Sequence, residues 1–364
     1  MNIFDAAQYE KFWKRTQDQG AGGLSLALAR LFLWLLVPLY QGASLLKRAL
    51  FASSAFFRTR PKVLTVSIGN LTMGGTGKTT TTRLVGQILS EELGLETVVL
   101  SRGYRSKNKK WVLQASNKGE LLVKPSHCGD EATLLAKWLP SCSVVVGKRR
   151  AITARWAEEN LAAQALLLDD GLQYWRLERD VDIICVGAVG GFGNGYLFPR
   201  GPLREPLSGL KRAKCIVLYQ ADIASQEALS NLKSQIREVA PKVPIIQINL
   251  KLDELRPTGT LQDKEVYAFC GLGSPQSFQR TLERAGAHVR GMMAFPDHHQ
   301  YSKDDVKDIA EEAMGEEMVV TTEKDEVNLG ELKERFANLY VLPIKPVISD
   351  KDRKMLLDIF KAEL

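Results

Sequence analysis

One glycine-rich segment of the sequence, NLTMGGTGKTTTTR at residues 70–83, has the residue types of a phosphate-binding loop. Glycines let backbone N–H groups turn toward an anion, and the N-terminus of a following helix adds a partial positive charge. In such a loop Lys78 would reach the β- and γ-phosphates of a nucleotide, and the hydroxyl of Thr79 would bind Mg²⁺. The predicted nucleotide-binding residues are Gly74, Gly75, Thr76, Gly77, Lys78, Thr79 and Thr80.

The elements that flank this loop are the ones that a phosphate-binding loop requires. The β-branched, apolar run VLTVSIG at 63–69 predicts a buried strand, and RLVGQILSEEL at 83–93 has the apolar spacing of a helix. Strand, glycine loop and helix therefore follow in the order that nucleotide binding needs. Thr72 stands where the strict loop pattern has glycine, so a glycine-rich turn that binds no ligand is the alternative interpretation.

Two adjacent carboxylates, Asp169 and Asp170, form a second candidate site, and we call them the aspartate pair. They end the apolar run AQALLL at 163–168, which predicts a buried strand. In a parallel sheet the carboxyl ends of strands share one edge, so the pair would lie at the same edge as the phosphate-binding loop. Carboxylate oxygens there suit Mg²⁺. The alternative is an Asp-Asp-Gly turn without a metal.

Further apolar runs indicate how the sheet continues. Those at 97–104, 143–150, 181–187 and 214–219 predict buried strands, and helical patterns lie between several of them, which favours a mostly parallel sheet. Arg102, Tyr104, Arg149 and Arg150 follow two of these strands. We predict that Arg102, Tyr104 and Arg149 contact anionic groups of a substrate, and the alternative for the arginines is a solvated surface position.

Length, charge and cysteines narrow the class of protein. A chain of 364 residues is long enough for two domains. Lysine and arginine (49) exceed aspartate and glutamate (42) by seven, and residues 1–60 carry five of these seven charges, with eight basic and three acidic residues. No zinc-finger spacing, aromatic RNA-binding signature or basic recognition helix accompanies that excess, so we expect no nucleic-acid partner. The five cysteines form no C-x-x-C pair and fit reduced, buried thiols.

The most apolar stretch, LSLALARLFLWLLVPLY at 24–40, predicts a membrane-associated helix. It is 17 residues long and contains Arg30 and Pro38, which favours a shallow or partial insertion over a full span. Residues 41–62 then contain five basic and no acidic residues, a composition that an anionic leaflet attracts. The alternative is a core helix of a soluble protein.

Eight ordered motifs together resemble one protein family. They are SIGNLTMGGTGKTT at 67–80, SRGY at 101–104, GDEA at 129–132, LLLDDGLQ at 166–173, GNGYLFPRGPLREP at 193–206, FCGLGSPQSF at 269–278, FPDHHQY at 295–301 and TTEKDEV at 321–327. The pattern resembles the tetraacyldisaccharide 4′-kinases, the lipid A 4′-kinases of Gram-negative envelopes. The apolar N-terminal helix is also similar to that family.

The resemblance implies an activity and a location. The activity is transfer of the γ-phosphate of ATP to the 4′-hydroxyl of an acylated glucosamine disaccharide 1-phosphate, which makes lipid IVA in lipid A biosynthesis. The implied cofactors are ATP and Mg²⁺, and the implied partners are the disaccharide lipid and membrane lipid. The resemblance also implies two α/β domains with a cleft between them, docked on the cytoplasmic face of the inner membrane.

The resemblance assigns roles to individual residues. Lys78 and Thr79 bind phosphate and Mg²⁺, and Glu205 joins the aspartate pair as a metal ligand, with Arg204 beside it as a substrate contact. Asp130 and His298 form a catalytic dyad, which we call the dyad. A sugar hydroxyl is a poor nucleophile, so a carboxylate that accepts or orients its proton, held by an imidazole, is chemically reasonable.

The predicted domains are a membrane-associated segment at 1–60, a P-loop NTPase-like domain with a mostly parallel sheet at 61–250, a linker at 251–262 and a smaller α/β domain at 263–364. Two alternatives to the lipid kinase stay open from the sequence. One is a membrane-bound P-loop ATPase switch, which hydrolyses ATP with water and acts through dimerisation. The other is a soluble small-molecule kinase whose N-terminal helix belongs to the core.

Overall fold

The computed structural model of the protein describes residues 23–52, 58–104, 106–272 and 275–364. These residues form two compact units, and neither is continuous in sequence. The first unit comprises the described residues up to Arg102 together with Gly147–Asn249 and Val347–Leu364, and the second comprises Gly103–Val146 and Leu250–Pro346.

A parallel sheet forms the centre of the first unit. Its strands are β1 (Leu64–Asn70), β2 (Thr97–Ser101), β6 (Ala165–Leu168), β7 (Val181–Gly187), β8 (Cys215–Tyr219) and β9 (Ile245–Leu252), of which residues 245–249 belong to this unit. They lie in the order β9-β8-β7-β1-β6-β2, and each neighbouring pair is parallel. Strands β1, β2 and β6 are buried along their whole length, which explains their continuous apolar and β-branched sequences.

Among the described residues, the α-helices of the first unit are α1 (Leu24–Ala52), α2 (Lys78–Gln87), α5 (Arg150–Asn160), α6 (Gln226–Val239) and α10 (Asp350–Lys361). Helix α2 follows β1 directly through the glycine loop, as the sequence predicts. A π-helical turn, Ile88–Glu92, continues it, and its Glu92 accepts a hydrogen bond of 2.6 Å from Arg353 of α10. The C-terminal helix is therefore fastened to the first unit.

The second unit contains two groups of strands. One is antiparallel, in the order β5-β3-β4, and consists of β3 (Leu113–Asn117), β4 (Glu120–Leu121) and β5 (Ser143–Val146). The other is parallel, in the order β11-β10-β12-β13, and consists of β10 (Glu265–Cys270), β11 (His288–Ala294), β12 (Met318–Thr322) and β13 (Leu339–Leu342). A last strand, β14 (Ile344–Val347), begins in this unit, and its final residue, Val347, belongs to the first unit.

The helices of the second unit are α3 (Pro125–Cys128), α4 (Asp130–Trp138), α7 (Pro275–Arg284), α8 (Lys303–Glu312) and α9 (Glu323–Leu329). A serine caps α8 and a threonine caps α9, and in both cases the side-chain oxygen accepts a backbone N–H. Apolar side chains of α7 and α8, such as Leu282 and Ile309, are fully buried in the cores of this unit.

The structure confirms the predicted mostly parallel α/β architecture and the strands named from the sequence. The units differ from the predicted domain boundaries in three segments. Residues 103–146 belong to the second unit, residues 347–364 belong to the first, and residues 250–262 are part of the second unit because Leu255 and Leu261 are buried in its core. Of the predicted N-terminal segment, residues 1–22 and 53–57 lie outside the described residues.

Candidate active site

The glycine loop in the first unit has the backbone geometry that an anion site needs. Gly74 and Gly77 have φ angles of 107° and 77°, values that residues with a Cβ rarely adopt. The side chain of Asn70, at the end of β1, donates a hydrogen bond of 2.8 Å to the hydroxyl of Thr76 and fixes the turn. Helix α2 begins at Lys78, so its N-terminal N–H groups follow the loop directly.

The aspartate pair follows β6, where Lys78 and Arg204 neutralise one of its two carboxylates. The Lys78 ammonium lies 3.8 Å from Oδ1 of Asp170, and NH1 of Arg204 lies 3.1 Å from the same oxygen. These cations hold the pKa of Asp170 below its ordinary value although burial raises it. Burial and the neighbouring negative charge raise the pKa of Asp169, whose carboxylate accepts a hydrogen bond of 2.9 Å from Thr82.

Arg150 holds the backbone of the aspartate pair, a role that the sequence did not reveal. Its NH1 donates 2.9 Å hydrogen bonds to the carbonyl oxygens of both aspartates, and its guanidinium lies over the ring of Tyr174. Arg150 is buried, whereas its neighbour Arg149 is exposed. Helix α5 begins at Arg150, and the fold turns this arginine inward. The sequence itself does not indicate which of the two adjacent arginines is buried.

Glu205 lies close to the loop but is engaged by an arginine. Its two oxygens accept hydrogen bonds of 2.7 Å each from Arg212, and one of them also accepts 2.7 Å from the amide of Gln173. Gln173 donates in addition to the carbonyl of Asn70, 2.9 Å away, and so ties Glu205 to the end of β1. The metal-ligand role predicted for Glu205 thus requires that its carboxylate reorganise around Arg212.

The segment that carries Arg204 and Glu205 is pinned to the phosphate-binding loop through the backbone. The N–H of Met73 donates to the carbonyl of Pro202 at 2.8 Å, and the N–H of Arg204 donates to the carbonyl of Leu71 at 2.6 Å. This pairing explains why a motif far along the sequence supplies residues beside the loop.

Asp130 and His298 both lie within the second unit and are in contact with each other, and the catalytic role that the resemblance implies for them stays a prediction. Nδ1 of His298 lies 2.6 Å from Oδ2 of Asp130, while the other oxygen of Asp130 accepts 2.8 Å from the N–H of Glu131. Asp130 is the first residue of α4, where the helix N-terminus favours a carboxylate. The Asp130 side chain is only 4% exposed, so its carboxylate is shielded from water, whereas the His298 side chain is 16% exposed.

The two members of the dyad shift each other's ionisation. Burial raises the pKa of Asp130, but the hydrogen bond from His298 and the nearby Lys324 charge outweigh it, and the pKa lies below its ordinary value. Burial lowers the pKa of His298, but the hydrogen bond to Asp130 outweighs it, and that pKa lies above its ordinary value. Both shifts favour the carboxylate with a protonated Nδ1 facing it.

Neighbouring residues hold His298 in an unusual backbone conformation. Its φ of 61° is in the left-handed region, which non-glycine residues adopt mainly at functional sites and turns. Lys324 pairs with Asp297 at 2.5 Å, and the ring of Tyr104 packs against the imidazole with centroids 5.3 Å apart. Asp325 accepts from the N–H of Gly271 at 2.8 Å and from the hydroxyl of Tyr301 at 2.9 Å, and so ties the end of β10 to the segment that follows His298.

Other predicted site residues take different surroundings. Arg102 and Arg149 are exposed in the first unit, and Tyr104 is 53% exposed in the second. Thr80 is buried, and its hydroxyl is hydrogen-bonded with that of Tyr219, whose pKa burial raises to about 12. Among the residues that the structure describes, no group of three or more His, Cys, Asp and Glu side chains is arranged to hold a metal ion without help from a ligand.

Helix α1 is long and apolar enough to cross a membrane. The most apolar 18-residue window within Leu24–Phe51 has a mean hydropathy of 1.6, and no part of that window is buried against the protein. Near its middle, the hydroxyl of Tyr40 donates 2.9 Å to the carbonyl of Arg204, and the Tyr40 ring packs edge-on against Phe198. Arg48 lies over the ring of Trp175. The helix is therefore attached to the segment that carries Arg204.

The sequence profile of one family, tetraacyldisaccharide-1-P 4′-kinase (LpxK), matches residues 29–361. The chain belongs to this family. A tetraacyldisaccharide 4′-kinase of Anaeromyxobacter dehalogenans is 39% identical over 329 residues, which cover 88% of this chain and 85% of the relative. One of Halothermothrix orenii is 36% identical over 85% of this chain and 87% of the relative.

A solved LpxK structure extends this similarity to the fold. The crystal structure of LpxK from Aquifex aeolicus in complex with ATP aligns with a TM-score of 0.73 at 30% identity, and the alignment covers 91% of this chain and 99% of that one. The match confirms the P-loop NTPase-like fold predicted from the sequence. In this tetraacyldisaccharide 4′-kinase family member, the glycine loop, the aspartate pair and the dyad all lie within the matched region.

Proposed function

We propose that this protein transfers the γ-phosphate of ATP to the 4′-hydroxyl of a tetraacyldisaccharide 1-phosphate, which makes lipid IVA on the cytoplasmic face of the inner membrane. The observation that carries the proposal is the 2.6 Å Asp130–His298 pair, because a nucleotide loop alone does not require such a pair. Family membership over residues 29–361 supports the same activity. A membrane-bound ATPase switch is not favoured, since it has no use for a buried acceptor-activating pair.

In the first unit, the glycine loop and α2 hold the triphosphate. Backbone N–H groups between Gly74 and Thr79 cradle the phosphates, and Lys78 moves from Asp170 to the β- and γ-phosphates when the nucleotide binds. Arg204, which shares Asp170 with Lys78, keeps that carboxylate neutralised after Lys78 leaves. The loop thus exchanges an internal ion pair for the contact with ATP.

The residues at this edge also fit Mg²⁺. The hydroxyl of Thr79 and the carboxylates of the aspartate pair are hard oxygen ligands, which Mg²⁺ prefers, and the metal would complete its shell with phosphate oxygens and water. When bound, Mg²⁺ neutralises charge on the phosphates. Arg150 positions the two carboxylates for this task, because it fixes both of their carbonyl groups.

In the second unit, Asp130 orients the 4′-hydroxyl and accepts its proton. His298 donates from Nδ1 to one oxygen of Asp130 and the N–H of Glu131 donates to the other, and a remaining lone pair of the carboxylate would accept from the 4′-hydroxyl. A carboxylate whose pKa lies below its ordinary value is a weak base. We therefore infer that the proton moves late, after bonding to phosphorus has made the hydroxyl more acidic, as a loose transition state permits.

Helix α1 supplies the membrane contact of the first unit. Its exposed apolar side chains, which include Leu28, Leu31, Phe32, Leu35 and Leu39, form the surface that would enter the bilayer. The double substitution Leu28→Glu and Leu35→Glu is expected to release the protein from vesicles while ATP binding persists. Unchanged vesicle binding would contradict the anchoring role of α1.

The decisive experiment combines γ-labelled ATP, Mg²⁺ and the acylated disaccharide 1-phosphate. We expect label on the lipid with the native protein and none with Lys78→Ala, which also loses ATP affinity. Asp130→Asn is expected to keep ATP affinity and lose transfer. If ATP turnover is indifferent to the lipid and to Asp130→Asn, the protein is an ATPase and the kinase proposal fails.

A further inference from the structure

A basic segment with exposed apolar side chains lies in the second unit. Between Ser106 and Ser126 the sequence contains five lysines and one acidic residue, Glu120. All five lysines are exposed: Lys107, Lys109, Lys110, Lys118 and Lys124. Two large apolar side chains stand out among them, Trp111 with 61% and Leu122 with 48% of its surface exposed. We call this segment the basic hairpin, because β3 and β4 pair within it.

The basic hairpin is an ordered part of the second unit. The side chain of Asn108 accepts 2.8 Å from the N–H of Lys110 and donates 3.1 Å to its carbonyl, which fixes the turn that presents the lysines. The N–H of Lys107 donates 3.1 Å to the carbonyl of Ser126 and joins the two ends of the segment. Lys118 and Gly119 both have positive φ, the geometry of a tight hairpin turn.

We propose that the basic hairpin is a second membrane-contacting surface, with Trp111 at the lipid–water interface and the lysines against anionic headgroups. Tryptophan prefers the interface, because its ring is apolar and its N–H is polar. Lysines around it are attracted to an anionic leaflet and extend their alkyl chains over the apolar side chains. This contact goes beyond the proposed reaction and is distinct from α1, which belongs to the first unit.

The position of the basic hairpin in the chain links it to the dyad within the same unit. Tyr104, just before the segment, packs against the ring of His298 at 5.3 Å. After the segment, α3 leads within a few residues to Asp130. A hairpin held at the bilayer surface would therefore hold both members of the dyad near the lipids from which an acylated acceptor must come.

The second unit also provides a matched control for this proposal. Met314 is 80% exposed and apolar, but it lies between acidic residues, with Glu311 and Glu312 before it and Glu316 and Glu317 after it. If exposure of an apolar side chain were sufficient, Met314 would contact the bilayer as well as Trp111. If the basic surroundings are needed, only Trp111 would do so.

The test places an environment-sensitive fluorophore on the full-length protein at Trp111→Cys or, as the control, at Met314→Cys. Selective labelling is feasible because all five native cysteines are buried. Vesicles of phosphatidylcholine mixed with phosphatidylglycerol, without ATP or acceptor lipid, are expected to shift the emission of the label at 111 to the blue and to leave the label at 314 unchanged. Equal responses at the two sites, or no response at 111, would overturn the proposal.

A second measurement uses unlabelled protein with the native tryptophan. Each lysine near an anionic leaflet contributes about 1 kcal/mol, which is about five-fold in binding, so Lys109→Gln with Lys110→Gln should weaken binding to anionic vesicles by up to about 25-fold. The control pair, Lys303→Gln with Lys307→Gln on α8, changes the charge of the same unit equally and is expected to have little effect. Equal losses for the two pairs would refute a localised contact.

Two further arms separate the bilayer from other anionic partners. Vesicles of phosphatidylcholine alone carry no net headgroup charge, so the two double lysine variants are expected to bind them equally well. A double-stranded DNA oligonucleotide is expected to leave the label at 111 unchanged, and a response to DNA without one to anionic vesicles would overturn the proposal. Kinase activity on detergent-dispersed acceptor should persist in Lys109→Gln with Lys110→Gln, so failure of this proposal is distinguishable from failure of the proposed reaction.

Discussion

The 2.6 Å contact between Asp130 and His298 leads to a quantitative prediction about how the two residues depend on each other. The perturbations are Asp130→Asn, His298→Asn and the double variant. Asparagine is the substitution of choice at 298, because the φ of 61° there is a conformation that asparagine tolerates better than most residues. At 130 it keeps an oxygen that can accept the Glu131 N–H while it removes the charge.

The expected magnitudes follow from the geometry. A positioned proton acceptor contributes roughly 10²–10⁴-fold to the rate, so each single variant should lose activity within that range. A short, charge-assisted hydrogen bond is worth about 1.5–3 kcal/mol, which corresponds to about 10- to 150-fold. If the two losses were independent, the activity of the double variant would be reduced by their product. We expect it to be about 10- to 150-fold higher than that, because the second substitution removes a partner that no longer functions.

The assay is transfer of γ-label to the acylated disaccharide 1-phosphate at saturating ATP, with ATP affinity measured separately by titration. We expect kcat to fall in all three variants and the affinity for ATP to stay unchanged, since the phosphate-binding loop belongs to the first unit. Losses that simply multiply would show that the two residues act independently. A parallel fall in ATP affinity would show that the substitutions disturb the fold, and either result would refute the reasoning.

Three other predictions concern stability and nucleotide binding. Gly77→Ala should destabilise the protein by about 2–5 kcal/mol and abolish ATP binding, since a Cβ would lie 2.2 Å from the Tyr219 ring. Gly74→Ala is the control, because a Cβ there would meet open space, and it should lose only the stability that the strained backbone angle costs. Thermal melts of the two variants measure the difference. Arg150→Met should lower the unfolding temperature, because two charge-assisted hydrogen bonds of about 1.5–3 kcal/mol each are lost, and Arg150→Lys should recover part of the loss. The pKa of His298 is raised in the folded protein, so protonated His298 contributes stability that is complete below its ordinary pKa and lost as pH rises through the folded value. The melting temperatures of native protein and His298→Asn should therefore differ more near about pH 6 than near about pH 9. An equal difference at both pH values would contradict the assigned shift.

Local sequence patterns predicted much of the fold, because their physical causes are local. The buried strands β1, β2, β6, β7 and β8 are predominantly apolar and β-branched, as a strand covered on both faces needs to be. Helix α2 begins at the lysine of the glycine loop, as the residue types indicate. The hairpin of β3 and β4 was not predicted, since its short strands are half exposed and lack a sustained apolar pattern.

The division into units was harder to predict, because a compact unit is defined by contacts and not by composition. Residues 251–262 contain proline and glycine between polar residues and were predicted to be a linker, yet Leu255 and Leu261 are buried in the second unit. Residues 350–361 form a helix that any domain could contain, and an ion pair between Lys214 and Glu363 at 2.6 Å helps to fasten it to the first unit.

The sequence alone predicted which residues could carry the chemistry. The glycine loop with Lys78 and Thr79 and the aspartate pair follow from the side chains that phosphate and metal binding demand, and the dyad follows from the resemblance to the kinase family. Only the tertiary structure decided how those groups are held. In the folded protein Arg150 is buried while Arg149 is exposed, Glu205 pairs with Arg212, and Asp130 lies 2.6 Å from a histidine 168 residues away. Such pairings depend on packing between segments distant in sequence, and no local spacing encodes them.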